Sequence, residues 1–175
     1  MENSGKLLII INGKGGVGKD TLCGFAAKHY QARNVSSITP IKGIAAANGW
    51  NGEKTPKARK FLADLKEAFT QYNDLPTNYL LGQYQDFLAG NEQLMFAHIR
   101  EGSEIDKLKQ RVTGPVITLL VRCSCRQLKN WGNSSDDQVE QYPYDWIYDN
   151  SKPLKEAEED FLAFLKEVLK EVGNK

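Results

Sequence analysis

The stretch Lys6-Leu7-Leu8-Ile9-Ile10-Ile11-Asn12 runs directly into Gly13-Lys14-Gly15-Gly16-Val17-Gly18-Lys19-Asp20-Thr21, and this junction decides the fold. An unbroken apolar, β-branched-rich run reads as a strand buried on both faces, as in a parallel sheet. The glycines that follow match G-x-x-x-x-G-K between a strand and a helix beginning at about Lys19. In that context successive backbone N–H groups curl around phosphate oxygens and the helix N-terminus adds positive potential. Lys19 then reaches the β- and γ-phosphates of a nucleoside triphosphate. Gly13, Lys14, Gly15, Gly16, Val17, Gly18, Lys19, Asp20 and Thr21 are the candidate nucleotide-binding residues. Where Ser or Thr usually supplies a hydroxyl to Mg²⁺, the chain has Asp20, a carboxylate able to ligate the metal or one of its waters, and it is the candidate metal residue. The alternative for Asp20 is an ordinary acidic residue in a first helical turn.

Outward from the loop, a helix is expected over about 19–32 and a short second strand over Asn34 to Thr39, stopped by Pro40. Thr55 as N-cap and Pro56 at the first helical position start another helix, with Ala58, Phe61, Leu62, Leu65 and Phe69 forming an apolar stripe for the sheet or a neighbouring helix. A second amphipathic segment runs from Pro76 to Ala89 and stops at Gly90-Asn91. Gln93 to Ile99 and Pro115 to Val121 read as strands around a helix, Asp145 to Tyr148 as a last strand, and Leu154 to Val172 as a closing amphipathic helix. Strands alternating with helices imply βαβ crossovers, hence an α/β fold: a three-layer α/β/α sandwich on a mainly parallel, five-stranded sheet. In such sheets ligands bind beyond the carboxyl ends of the strands.

The chain has 175 residues, with 23 Lys and Arg against 22 Asp and Glu. Such a length suits one domain, 1–175, and the balanced charge gives no general attraction to nucleic acid polymers or anionic lipid. The apolar run at the N-terminus is too short for a signal-peptide core or a membrane span, so the expected location is the cytosol. Three cysteines, with Cys123-Ser124-Cys125 as a lone C-x-C, suit reduced thiols rather than a zinc site or disulfide framework.

The loop Lys14-Gly15-Gly16-Val17-Gly18-Lys19-Asp20-Thr21 resembles that of the deviant P-loop ATPases of partitioning and division-site positioning. No acidic switch segment follows the second strand, where the chain reads Ser37-Ile38-Thr39-Pro40-Ile41-Lys42. A second resemblance covers more of the chain. The G-K-x-x-x-G-K-D-T loop followed by Pro40-Ile41-Lys42, Trp50, Arg59, Arg100 and Asp149-Asn150-Ser151, in that order, resembles the phage-type deoxynucleoside monophosphate kinases. The G-K-D ending is also similar to animal phosphomevalonate kinases. These resemblances imply a P-loop kinase of the nucleoside monophosphate kinase type using ATP and Mg²⁺. The acceptor implied is a small phosphorylated molecule, first of all a (deoxy)nucleoside monophosphate, and the protein a monomer or homodimer. The alternatives are a kinase of phosphomevalonate or dephospho-coenzyme A, or a nucleotide-driven positioning or switch ATPase.

Phosphoryl transfer depends mainly on positioning and charge neutralisation, so cations at strand ends are the catalytic candidates beside Lys19 and Asp20. Arg100 follows a strand and suits bidentate capture of an acceptor phosphate. The kinase resemblance makes about 40–91 a helical acceptor-binding insertion, with Lys42, Trp50 and Arg59 facing the acceptor. Arg59 also fits a solvated helix face beside Lys57 and Lys60, and Trp50 a turn anchor. About 122–142 corresponds to the lid of nucleotide kinases, so Arg122 and Arg126 would close over the phosphates and exclude water. Asn150 falls where such kinases hold the donor base, through backbone contacts that leave its side-chain identity of little consequence. The strand from Met95 lacks a terminal acid and has His98 near that place; Asp20 or Glu101 would substitute, His98 reading as a hydrogen-bonded strand-end residue. His29 reads as helix surface or core.

Overall fold

The computed structural model describes residues 5–124 and 138–174. Five strands form one parallel sheet: β1 (Leu7–Asn12), β2 (Ala32–Ser36), β3 (Leu94–His98), β4 (Val116–Arg122) and β5 (Trp146–Asp149), in the spatial order β2-β3-β1-β4-β5. The apolar run read from the sequence is the central strand, and all six of its residues are buried. Its neighbours are β3, in the register Ile11↔His98, and β4, in the register Asn12↔Leu120. Thus the phosphate loop leaves the sheet between the ends of β3 and β4.

Side chains alternate across a strand, and β1 divides its residues between two cores accordingly. Leu7, Ile9 and Ile11 pack with Leu22, Cys23 and Ala26 of α1 (Lys19–His29) and with Phe161, Leu165 and Val168 of α6 (Leu154–Gly173). Leu8 and Ile10 pack with Leu80, Tyr84 and Phe87 of α4 (Leu75–Ala89) and with Ile105 and Leu108 of α5 (Gly102–Arg111). The result is the three-layer α/β/α sandwich expected from the strand and helix alternation. Among the described residues no helix is long and apolar enough to cross a membrane.

Two further helices, α2 (Thr39–Ala47) and α3 (Pro56–Asn73), precede α4. For α3 the start is as expected: Thr55 Oγ1 accepts from the Ala58 amide at 3.2 Å and Pro56 occupies the first turn. The boundary before α2 differs from expectation. β2 ends at Ser36, and Pro40 lies in the first turn of a helix instead of stopping a strand. Proline has no N–H to contribute there and its fixed φ suits a helix start, so Pro40 begins the next element. The apolar stripe of α3 is also less covered than expected. Phe61 is exposed, and the residues of α3 that are buried are Ala58 and Lys66. Lys66 is a charged residue in a place where the pattern suggested only hydrophobic contact.

Candidate active site

Glycine geometry fixes the phosphate loop. Gly13 has φ +152°, and a Cβ there would lie 2.5 Å from the Val121 carbonyl oxygen and 2.9 Å from Val17 Cγ2. Gly18, the N-cap of α1, has φ +94°, and a Cβ would come within 2.6 Å of Asn150 Nδ2. Neither position accommodates another residue in this conformation, because L side chains avoid such φ values and the space is taken. Between them Val17 is 1% exposed and anchors the loop in the core. Asn150, also buried, donates from Nδ2 to the Val17 carbonyl at 2.8 Å, while its own N–H reaches the Arg122 carbonyl at 2.8 Å. Here the structure corrects the sequence expectation that the Asn150 side chain is of little consequence. The side-chain amide ties the end of β5 to the loop, and the backbone N–H ties it to β4.

Lys19 Nζ donates to the carbonyls of Gly13, at 2.5 Å, and Lys14, at 3.1 Å. The ammonium therefore sits over the mouth of the loop, where phosphate oxygens would compete for it. Lys14 Nζ lies 4.0 Å from Glu140 Oε1, both side chains being partly exposed. Next to Lys19, the Asp20 side chain is 94% exposed in the first turn of α1. Among the described residues no cluster of His, Cys, Asp and Glu forms a metal site. Mg²⁺ bound together with nucleotide phosphates needs only one or two protein carboxylates, so the exposed Asp20, with Thr21 beside it, fits that more limited donor set.

Under the loop, His98 is largely buried. Its Nε2 is 2.7 Å from Asn34 Oδ1, which must accept from it, and 3.9 Å from Asp20 Oδ1. Burial pulls its pKa down to about 4, with Asp20 opposing the shift, so the ring is neutral at physiological pH. His98 is thus a hydrogen-bonded residue at the strand end. Nearby Cys23 is buried, and that burial, with Asp20 adding to it, pushes its thiol up to about 12, leaving it unreactive. His29 lies on the helix surface, against Glu158.

Beyond β3 the backbone turns at Arg100 into α5. Arg100, Glu101, Ser103, Gln138, Gln141 and Tyr142 line a cavity of about 410 Å³. That volume accommodates a small molecule. The wall of the cavity rests on an ion cluster missed in the sequence: Lys66 Nζ lies 2.5 Å from Glu101 Oε2 and 2.9 Å from Glu104 Oε2, with Lys66 and Glu104 buried. Burial opposes ionisation of Glu101, but the Lys66 ammonium outweighs it and holds that carboxyl below the ordinary range. For Glu104 burial prevails, helped by the Glu101 charge, and the carboxyl is raised. Glu101 is consequently committed to Lys66, which weakens its case as the substitute for a strand-end acid. No local pattern announces this cluster, because Lys66 comes from α3 and its partners from the far side of β3.

The other expected acceptor residues lie apart from that cavity. Trp50 donates from Nε1 to the Glu53 carbonyl at 3.1 Å, Arg59 from Nε to the Lys54 carbonyl at 3.2 Å, and Lys42 is exposed on α2. None of the three is among the residues lining the cavity. Arg122 is exposed at the end of β4. Arg126 and Cys125 lie outside the described residues, as does most of the expected lid.

A second buried polar residue missed by the sequence reading is Asn12, 1% exposed at the end of β1. Its Oδ1 accepts from the Gly13 amide at 2.8 Å, and its Nδ2 donates to the Arg100 carbonyl at 3.0 Å and to Tyr144 Oη at 2.8 Å. Asn12 therefore touches the first residue of the phosphate loop and the backbone of the cavity arginine together.

In fold, this arrangement is similar to that of solved structures that include small-molecule kinases. A tunicamycin resistance protein from Deinococcus radiodurans superposes with a TM-score of 0.57 at 14% identity, over 91% of this chain and 95% of that one. A shikimate kinase from Aquifex aeolicus gives 0.55 at 11% identity, over 91% and 96%. Another shikimate kinase, from Bacteroides thetaiotaomicron, gives 0.51 at 14% identity, over 94% and 98%. At these identities the likeness is one of fold. In sequence, no protein-family profile and no curated protein matches the chain.

Proposed function

We propose that this protein is an ATP- and Mg²⁺-dependent small-molecule kinase, and that its acceptor is a small phosphorylated molecule, first of all a (deoxy)nucleoside monophosphate. The observation that carries this reading is the adjacency of two features suited to anions at the carboxyl edge of the sheet. One is the phosphate loop after β1; the other is Arg100 after the neighbouring β3, both held by Asn12. A phosphate loop alone suits any NTPase, whereas a second cavity lined by an arginine after the next strand suits transfer to an acceptor.

In the reaction an oxygen of the acceptor attacks the γ-phosphorus, the bond to the β-phosphate oxygen breaks, and ADP leaves with the electron pair. Loop amides and Lys19 neutralise charge on the β- and γ-phosphates. Asp20 is the residue that would hold Mg²⁺, which would supply positive charge to neutralise the phosphates. Arg100 would orient the acceptor's anionic group from the cavity wall, whereas Lys42, Arg59 and Trp50 do not line that cavity. Arg122 and Arg126 would cover the phosphates, which limits water attack on the donor.

The polar walls supplied by Ser103, Gln138 and Gln141 favour a second acceptor class, a hydroxylated carboxylic acid of the kind named for the shikimate kinases. The test is an ADP-release assay with ATP and Mg²⁺ across (deoxy)nucleoside monophosphates, phosphomevalonate, dephospho-coenzyme A and shikimate, with products identified by mass. A phosphorylated acceptor supports the kinase and names its substrate. Nucleotide-dependent dimerisation with slow, acceptor-independent hydrolysis would point instead to the switch ATPase.

A further inference from the structure

We infer that Asn12 and Tyr144 form a hydrogen-bond relay through which occupancy of the phosphate loop reaches the acceptor cavity and the 138–145 segment. The inference rests on the reading that the loop binds nucleotide, and it assigns both residues positioning roles.

The relay is fully committed. Asn12 spends its carbonyl oxygen on the Gly13 amide and the two hydrogens of its amino group on Arg100 O and Tyr144 Oη. Tyr144 Oη, accepting from Asn12, sends its own hydrogen to the Val139 carbonyl at 2.5 Å. Reversing the Asn12 amide would set its oxygen against the Arg100 carbonyl and its amino group against the Gly13 N–H, so the partners dictate one orientation. Each bond is therefore directional, and none has a spare partner that would absorb a shift.

The receiving end is equally constrained. Val139 is 2% exposed, and the Tyr142 ring stands edge-on to Tyr144 with centroids 5.1 Å apart. Tyr142 Oη donates to Asp106 Oδ1 at 2.7 Å, and its ring lies so close to Gly102 that a Cβ there would be 2.9 Å away. The 138–145 segment is thereby fastened to the first turns of α5, beside Arg100. Four of its residues, Gln138, Gln141, Tyr142 and Pro143, line the cavity.

At the sending end Gly13 is the contested residue, held through both of the peptide units that meet at its Cα. Its carbonyl accepts from Lys19 Nζ and its N–H donates to Asn12 Oδ1. A phosphate oxygen that draws Lys19 toward itself weakens the first contact and lets the Gly13–Lys14 peptide rotate, which moves Gly13 Cα and with it the Asn12–Gly13 peptide. The Asn12 amide must follow, because leaving a buried donor or acceptor unpaired costs about 1–3 kcal/mol. The Val121 carbonyl is packed so close to Gly13 that a Cβ there would lie 2.5 Å from it, which leaves little room for movement in that direction. The simplest path for the adjustment runs through Asn12 to Arg100 and Tyr144.

The experiment is hydrogen exchange of the full chain with and without MgADP, in the wild type and in Tyr144→Phe. Phenylalanine keeps the ring and removes only the hydroxyl that links Asn12 to Val139. In the wild type, MgADP is expected to slow exchange at least threefold in peptides covering 13–21, and also to change exchange in peptides covering 100–104 and 138–145. In Tyr144→Phe the loop peptides keep their response and the response at 138–145 is lost. Loop protection with no remote response in the wild type, or a remote response unchanged in Tyr144→Phe, overturns the relay alone. Absence of loop protection in the wild type overturns the nucleotide reading and the relay with it. A Tyr144→Phe protein whose loop peptides do not respond contradicts a relay that merely transmits, and Asn12→Ala then separates the cases: a relay predicts the same remote loss at temperatures well below its melting transition.

Discussion

The proposed donor and acceptor sides of the sheet edge are built in opposite ways. On the donor side the chain's own geometry makes the site: glycines with no room for a Cβ, Val17 in the core and the Asn150 amide bracing the loop from β5. The acceptor side is made by side chains brought from separate elements, with Arg100 at the surface and Lys66, Glu101 and Glu104 beneath it. A phosphate is the same object in every nucleotide, so a rigid backbone cradle suffices for it. An acceptor's identity is read by side chains, whose positions depend on how distant segments pack. The contrast makes the donor side intolerant of any added atom and the acceptor side sensitive to charge.

The largest expected effect tests the first half of that contrast. Gly13→Ala forces a Cβ against the Val121 carbonyl, and nucleotide affinity measured by calorimetry is expected to fall more than about 100-fold, on the order of 3 kcal/mol. An affinity within threefold of wild type would show the cradle to be pliable. Next comes Lys66→Met, which leaves two carboxylates facing each other at the cavity wall without their cation. Removing one member of a buried ion cluster destabilises by about 3 kcal/mol, read as a lower urea midpoint. ADP affinity is expected to stay within about twofold, since the cluster lies on the acceptor side.

A smaller effect belongs to His98, below the loop. Its pKa in the fold is near 4 against 6.5 ordinarily, so the unfolded chain takes up a proton first as pH falls. His98 thus contributes stability that is present above pH 6.5 and disappears by about pH 4, amounting to roughly 3 kcal/mol. Melting curves across that range should flatten in His98→Gln; an unchanged slope would mean that the ring is not protected from protonation. The smallest effect expected is that of Asp20→Ala. Its exposed carboxylate contributes little to the fold, and the Mg²⁺ concentration for half-maximal activity should rise about tenfold with less change in maximal rate. Identical Mg²⁺ curves would remove Asp20 from the metal site.

The same contrast explains what was legible in the sequence. The loop, the central strand and the start of α3 announce themselves locally, through glycine spacing, an apolar run and the Thr55-Pro56 pair. Pro40 misled because proline ends a strand and begins a helix with equal chemical logic, and only the sheet shows that β2 has already stopped at Ser36. Asn12, Tyr144 and Lys66 left no local trace. Asn12 looks like the end of a strand, Tyr144 lies beyond the segment assigned to a lid, and Lys66 interrupts an apolar stripe as an ordinary helical lysine would. Their significance is created by long-range contacts, such as Asn12 with Tyr144 and Lys66 with Glu104. One polar residue that buried itself in an apolar setting is the only form their signal takes.

The most direct test of the central claim is phosphoryl transfer by the wild type and by Lys19→Ala, run side by side with ATP, Mg²⁺ and the acceptor panel, with products identified by mass. The structure puts Lys19 over the loop mouth, so the wild type should phosphorylate one acceptor class and Lys19→Ala should lose at least about 100-fold in rate. A Lys19→Ala protein as active as the wild type, or a wild type that hydrolyses ATP without phosphorylating any acceptor, would contradict the kinase.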